Sequence, residues 1–342
     1  MSVPTPASAN RLMPCAVLGA LLLGPALVRA AGDDPRVWLE RMNHALATRN
    51  YDGIFMHVSG RSVETMRIVH RLLGGRVTER LASMDGSGRE FVRNNDELTC
   101  YLPDKNTVLV QPRQTHGPFL GALPQFGAGV NDNYHIESLP ATRVIGHTVH
   151  VVAVNPKDQF RFGYRLWLDD KTAMPLKTQL CDARGDVIEQ IVFAQLATPD
   201  AIPDKDLAPS VHADGMRWVR QIPGENASTD LASFRASHLP PGFTLTATGA
   251  QTIDGQSAPA SHLVYSDGLA TVSVFVEAGP AAAQAASPAS FEGLEHYGSG
   301  YVYSTVVPGG YQVTAVGEVP AQTVQQIARS VRAMTDGGAL AH

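Results

Sequence analysis

The sequence predicts an α+β protein of two units in which antiparallel strands dominate, and three observations carry that prediction. Within residues 160–168 apolar side chains fall at every second position (Phe160, Phe162, Tyr164, Leu166, Leu168), with Arg161, Gly163, Arg165 and Trp167 between them. That is the period of a strand with one apolar face. Between residues 54 and 110 short runs alternate with Gly60, Gly74-Gly75 and residues 85–88, 94–96 and 103–106, which are hairpin residue types. Near residue 197 the pattern stops, and Pro199, Pro203 and Pro209 punctuate a stretch without period that marks a boundary close to Lys205.

Asp33, Asp34 and Pro35 open a helix, because acids and Pro suit the exposed N–H groups of a first turn. Val37, Trp38, Met42, Ala45 and Leu46 give it one apolar stripe to lay against a sheet. Six short strands are predicted over residues 54–110. Residues 111–137 then interleave glycine and proline with apolar side chains. Phe119, Leu120, Phe126 and Tyr134 there are candidates for a lid over a lipid cavity, although the same composition suits a plug at one end of the sheet. Strands resume at 143–145 and 148–154 and lead into a three-stranded meander over 160–196. Its last strand has apolar residues on both parities and is expected to be buried on both faces. The smaller unit carries predicted strands at 216–221, 243–249, 261–265, 271–277, 301–307 and 311–316. It closes with a helix from Pro320 whose stripe is Val324, Ile327, Ala328 and Val331. The expected division is a signal peptide over 1–31, a first domain over 32–204, a linker over 205–215 and a smaller domain over 216–336.

The signal peptide rests on Arg11, an apolar run from Cys15 to Val28 too short for a confident membrane span, and the small residues of Val28-Arg29-Ala30. Removing Arg11 and Arg29 from 27 Lys and Arg leaves 25 against 32 Asp and Glu, a balance that excludes nucleic acid as a partner. Cys100 and Cys181 remain, in predicted strands of one domain. An oxidising compartment allows a disulfide between them and equally allows two buried thiols.

No constellation of catalytic residues survives its context. His147 and His150 are three apart on a strand, so they face opposite sides, and no Cys-x-x-Cys or His-Glu-x-x-His occurs. Gly-x-Ser-x-Gly and phosphate-binding glycine motifs are absent, and Asp169-Asp170 falls in a turn. The expectation is a protein without enzymatic activity, cofactor or metal. Residues 61–93 hold seven arginines against four acids. Arg67, Arg71, Arg76 and Arg80 are candidates for contacts with anionic headgroups, and the competing reading is a solvated outer face.

Several separated motifs resemble one family in order and spacing: Leu166-Trp167-Leu168-Asp169-Asp170, Met174-Pro175-Leu176-Lys177, Gly185-Asp186-Val187-Ile188-Glu189-Gln190, Leu239-Pro240-Pro241-Gly242-Phe243, Leu263-Val264-Tyr265-Ser266-Asp267-Gly268-Leu269, and the run from Val316 to Thr323. Over residues 35–334 the chain is similar to the MucB/RseB family of periplasmic regulators of the sigma-E (AlgU-type) envelope stress response. The resemblance implies a LolA/LppX-like antiparallel open β-barrel with helices, plus a smaller C-terminal α+β domain. It also implies binding to the periplasmic domain of a transmembrane anti-sigma factor of RseA/MucA type, which protects that factor from proteolysis until a lipid, lipopolysaccharide or lipoprotein signal relieves the protection. A periplasmic lipid carrier of LolA type is the alternative, and the second domain argues against it. Monomer and homo-oligomer both remain open.

Overall fold

The computed structural model describes Met1 and residues 34–112, 126, 130–220, 234–251, 260–278 and 292–334. The account below concerns the compact unit from Asp34 onward. Among the described residues no helix is long and apolar enough to cross a membrane.

The unit begins with α1 (Pro35–Thr48), capped where the Asp34 carboxylate accepts from the Arg36 amide at 2.9 Å. Six strands follow: β1 (Tyr51–Ser59), β2 (Ser62–Leu73), β3 (Arg76–Ser83), β4 (Glu90–Asn94), β5 (Glu97–Leu102) and β6 (Thr107–Pro112). After the short α2 (Val130–Asn133) come β7 (Tyr134–Val144), β8 (His147–Pro156), β9 (Gly163–Asp169), β10 (Pro175–Cys181) and β11 (Val187–Ala197). The one-turn α3 (Asp204–Leu207) and β12 (Arg217–Arg220) complete the first part. These strands form one open twelve-stranded sheet in the order β12-β6-β5-β4-β3-β2-β1-β11-β10-β9-β8-β7. Every neighbour pair is antiparallel except β12 with β6. The joining of β1 to β11 brings residues more than a hundred positions apart into register, Phe55 opposite Phe193.

The stripe of α1 lands as its spacing dictates except at Val37, which is exposed: Trp38, Met42, Ala45 and Leu46 are buried against Tyr51, Phe55, Ile68, Val152, Val154, Leu166, Leu168 and Phe193. On β9 the alternating row supplies Leu166 and Leu168 to this core, while Trp167 faces a smaller cluster with Val149, Val151 and Leu176. Strand β11 departs from its expected double burial. Glu189, Ile191 and Phe193 are buried, but Val187 is exposed and Ile188 and Val192 only half-buried, because no element covers the outer face there completely.

The second part has a two-stranded ladder, β13 (Phe234–Ala236) with β20 (Val331–Ala333), and a six-stranded antiparallel sheet. The latter contains β14 (Thr244–Gln251), β15 (Ala260–Ser266), β16 (Thr271–Ala278), β17 (Gly293–Tyr297), β18 (Gly300–Val307) and β19 (Tyr311–Gly317), ordered β14-β15-β16-β19-β18-β17. Helix α4 (Ala321–Arg329) buries Val324, Ile327 and Ala328 against Val272, Val274, Val313 and Ala315. Full burial of Val324 and Ile327 contributes about 1.5–3 kcal/mol each. Residues 217–220, predicted in the smaller unit, instead extend the larger sheet, with Trp218 opposite Val108. The two parts meet closely at Gly242, whose φ of +79° suits glycine and whose missing Cβ leaves room for the Asn133 side chain.

Candidate functional site

The loop between β8 and β9 carries Arg161, which is 0% exposed. Its guanidinium pairs with Asp158 at 3.0 Å and with Asp267, in the turn between β15 and β16, and donates to the Pro241 carbonyl. It lies 5.5 Å from the Tyr134 ring centre and 5.2 Å from that of Phe243. The Tyr134 hydroxyl donates to Asp267 Oδ2 at 3.0 Å, while Oδ1 of the same carboxylate accepts from the amides of Leu269 at 2.9 Å and Ala270 at 2.7 Å. Burial pushes the Tyr134 phenol far above its usual range, and the Asp267 charge adds to the shift, so the hydroxyl stays a donor. Beside this buried latch, the Thr323 hydroxyl donates to the Phe160 carbonyl at 2.7 Å and Gln322 Nε2 to that of Gln159 at 2.5 Å. Both sheets are thus fastened through the 157–162 loop.

Between the two sheets lies an open cleft of about 820 Å³, walled by β1, β2, β3 and β11 on one side and by the β17–β18 hairpin and the end of β19 on the other. Phe55, Met66, Leu81 and Ile191 give it an apolar wall from the larger sheet, and Tyr301, Val302 and Val316 give one from the smaller. Its polar groups include His57, Glu64, Glu189, Ser299 and Glu318. His57 Nε2 lies 2.9 Å from Glu189, and that hydrogen bond raises the His57 pKa against the opposing effect of burial. Burial pushes the Glu189 carboxyl up, but His57 and the Ser299 hydroxyl outweigh it and hold the group below its ordinary value. Apolar walls with a few fixed polar groups suit a bound chain or ligand. Among the described residues no group of three or more His, Cys, Asp or Glu could hold a metal ion.

The arginine strip has a use that local charge counting could not reveal. Arg67, Val69 and Arg71 of β2 share a face with Arg80 of β3, and residues 202–211 run across it as a strap. Ile202 and Leu207 pack on Val69. Arg71 reaches Asp204 at 2.6 Å and the Ile202 carbonyl at 3.0 Å, and Arg67 pairs with Asp52 at 2.7 Å and Asp206 at 3.6 Å. Arg80 binds Glu90 through two hydrogen bonds of 2.9 Å, and the Ser210 amide donates to the same carboxylate at 3.0 Å. Burial works against the Glu90 charge, yet Arg80 and Ser210 more than offset it and lower its pKa. In the structure, then, the strap over residues 202–211 engages three of the four forks proposed for anionic headgroups, while Arg76 stays exposed at the rim of a cavity of about 470 Å³ that Arg71 also lines. Glu90→Ala is expected to destabilise the fold by about 3–5 kcal/mol, because it strands the buried Arg80. Asp204→Ala, at an exposed pair, should cost about 1 kcal/mol or less. Urea unfolding of both variants compares the two, and equal costs would contradict the account.

Of the proposed lid residues, Phe119 and Leu120 lie outside the described residues. Phe126 packs on the α1 core edge-on to Tyr164 at 6.3 Å, and its carbonyl accepts from Asn43 at 3.1 Å. Tyr134 is buried in the latch and does not line the cleft. Cys100 and Cys181 are both buried free thiols, and the sheet does not bring them together: β4, β3, β2, β1 and β11 intervene between β5 and β10.

An open antiparallel sheet wrapped on one helix, latched to a smaller helix-covered sheet over a common cleft, defines a two-module, mostly β protein. Residues 34–211 match the MucB/RseB N-terminal domain and residues 228–332 the MucB/RseB C-terminal domain. The chain belongs to the MucB/RseB family. It is 31% identical over 323 residues, 92% of its own length and 95% of the relative's, to the sigma factor AlgU regulatory protein MucB of Pseudomonas aeruginosa. It is 27% identical over 301 residues, 86% and 89% of the two lengths, to the sigma-E factor regulatory protein RseB of Escherichia coli K12. The solved structure of MucB in complex with MucA(peri) aligns with a TM-score of 0.69 at 29% identity, covering 88% of this chain and all of that one.

Proposed function

We propose that the mature protein is a periplasmic regulator that restrains a sigma-E-type factor by holding the periplasmic part of its transmembrane anti-sigma factor. In this reading the cleft between the sheets receives an extended or helical segment of that partner and shields it from proteolysis. The observation that carries it is the shared cleft, whose apolar walls come from both sheets while the latch keeps them facing one another. The relation to MucB, solved with a MucA segment, supports the choice of partner. A lipid or lipopolysaccharide ligand that favours another arrangement of the sheets would weaken the complex, and linkage then requires the partner to weaken lipid binding by the same factor.

The test is a protection assay in which a periplasmic anti-sigma fragment is digested with a site-specific protease, with and without the protein. Added protein is expected to slow cleavage, and a lipid A analogue to restore it. Unchanged cleavage in the presence of a demonstrated complex would remove the shielding role, and cleavage indifferent to lipid A would remove the lipid signal.

A further inference from the structure

Arg61, Glu64, Glu189 and Glu318 are the Arg, Lys, Asp and Glu side chains of the cleft lining, and they are unevenly paired. Two are answered from within the larger sheet: Glu64 pairs with Arg89 at 3.3 Å and Glu189 with His57 at 2.9 Å. Among the described residues neither Arg61 nor Glu318 has an ion-pair partner. Arg61 stands in the turn between β1 and β2, on the wall of the larger sheet, and Glu318 just past β19, on the wall of the smaller, both exposed. The Ser299 hydroxyl donates to Glu318 Oε1 at 2.8 Å, which steadies the carboxylate and leaves Oε2 open to a further donor. The same two walls supply Phe55, Met66, Leu81 and Ile191 from one sheet and Val302 and Val316 from the other.

We propose that the partner segment seated in the cleft is an apolar run that carries one basic side chain for Glu318 and one acidic side chain for Arg61, and that these two opposite charges, one on each wall, fix its direction in the cleft. The inference rests on the reading that the cleft holds a segment of the anti-sigma factor, and it names the chemistry of that segment. In the free protein water solvates both charges. A segment that covers the apolar walls strips this water away, so a chain without counter-charges leaves a guanidinium and a carboxylate desolvated and unpaired. A chain laid in the reverse direction brings like charges together at both points, and that penalty rejects it. A phosphorylated lipid is the poorer occupant of this cleft, because it meets one guanidinium among three carboxylates.

The test is the affinity of the full chain for a periplasmic anti-sigma fragment, measured in charge variants at two exposed positions where the fold should be untouched. Glu318→Lys and Arg61→Glu are each expected to weaken binding about tenfold or more through like-charge contact, and Glu318→Gln and Arg61→Gln about two- to fivefold. In a fragment series that reverses each charged residue in turn, one basic position should restore binding to Glu318→Lys and one acidic position to Arg61→Glu. Affinity of the parent should fall as salt is raised, and less steeply in the double variant Arg61→Gln, Glu318→Gln. Parent-strength binding by Glu318→Lys or Arg61→Glu, while Leu81→Asp and Val302→Asp bind weakly, overturns the charge pairing and leaves the cleft reading standing. Parent-strength binding by all four variants overturns both. A fragment series without a restoring position, or a parent affinity indifferent to salt, overturns the pairing even if a variant fails to fold.

Discussion

Arg161→Ala is expected to unfasten the two sheets and to cost about 3–5 kcal/mol, because it leaves the Asp267 carboxylate buried without its counter-charge. Asp267 has no route to water in compensation: its side chain is 0% exposed, and Tyr134, Leu269 and Ala270 already donate to its oxygens. The loss also removes the guanidinium from the Tyr134 and Phe243 rings and from the Pro241 carbonyl. Since every one of these contacts joins the 157–162 loop to the smaller sheet or to Tyr134, the damage should fall on the attachment of the sheets before either core. Chemical denaturation followed by near-ultraviolet circular dichroism should show an early transition that the parent lacks. A single transition at the parent midpoint would refute the latch. Asp267→Asn, which keeps the shape but not the charge, should fall between the two.

The second large effect concerns the cleft. Leu81→Asp and Val302→Asp place a charge on opposite walls, one on each sheet, at positions that are only half-buried in the free protein. Each is expected to lower affinity for a periplasmic anti-sigma fragment by about 100-fold or more, since about 1.4 kcal/mol per tenfold is exceeded twice over when an apolar contact becomes a desolvated carboxylate. Far-ultraviolet circular dichroism should show both folds intact. If one variant binds at parent strength, the partner uses a single wall and the shared-cleft model fails.

The parts of this fold that were legible in the sequence are those whose period is local. The alternation at residues 160–168 assigns Leu166 and Leu168 to the core, and the helical stripe of α1 names Trp38, Met42, Ala45 and Leu46 correctly. Arg161 escaped the same logic because its parity sets it opposite the apolar row, where water is the expected neighbour, and the group that buries it stands 106 residues away. Residues 217–220 were assigned to the wrong sheet for a similar reason: parallel pairing with β6 leaves no turn nearby to announce it. The arginine strip was visible as a charge excess, but Asp204, Asp206 and Ser210, which engage it, lie beyond any local window. His57, Glu189 and Glu318 carried no signal either, being single polar residues on β1, on β11 and just past β19 that only the joining of β1 to β11 and the docking of β19 bring to one cleft.

The central claim is that one partner segment is held by both sheets at once, and hydrogen exchange on the full chain, free and saturated with a periplasmic anti-sigma fragment, tests it most directly. The account predicts slowed exchange on both walls of the cleft together, in β1, β2 and β11 of the larger sheet and in the β17–β18 hairpin and the end of β19 of the smaller. Protection confined to one sheet, or lying wholly outside the cleft in a complex of full affinity, would contradict it.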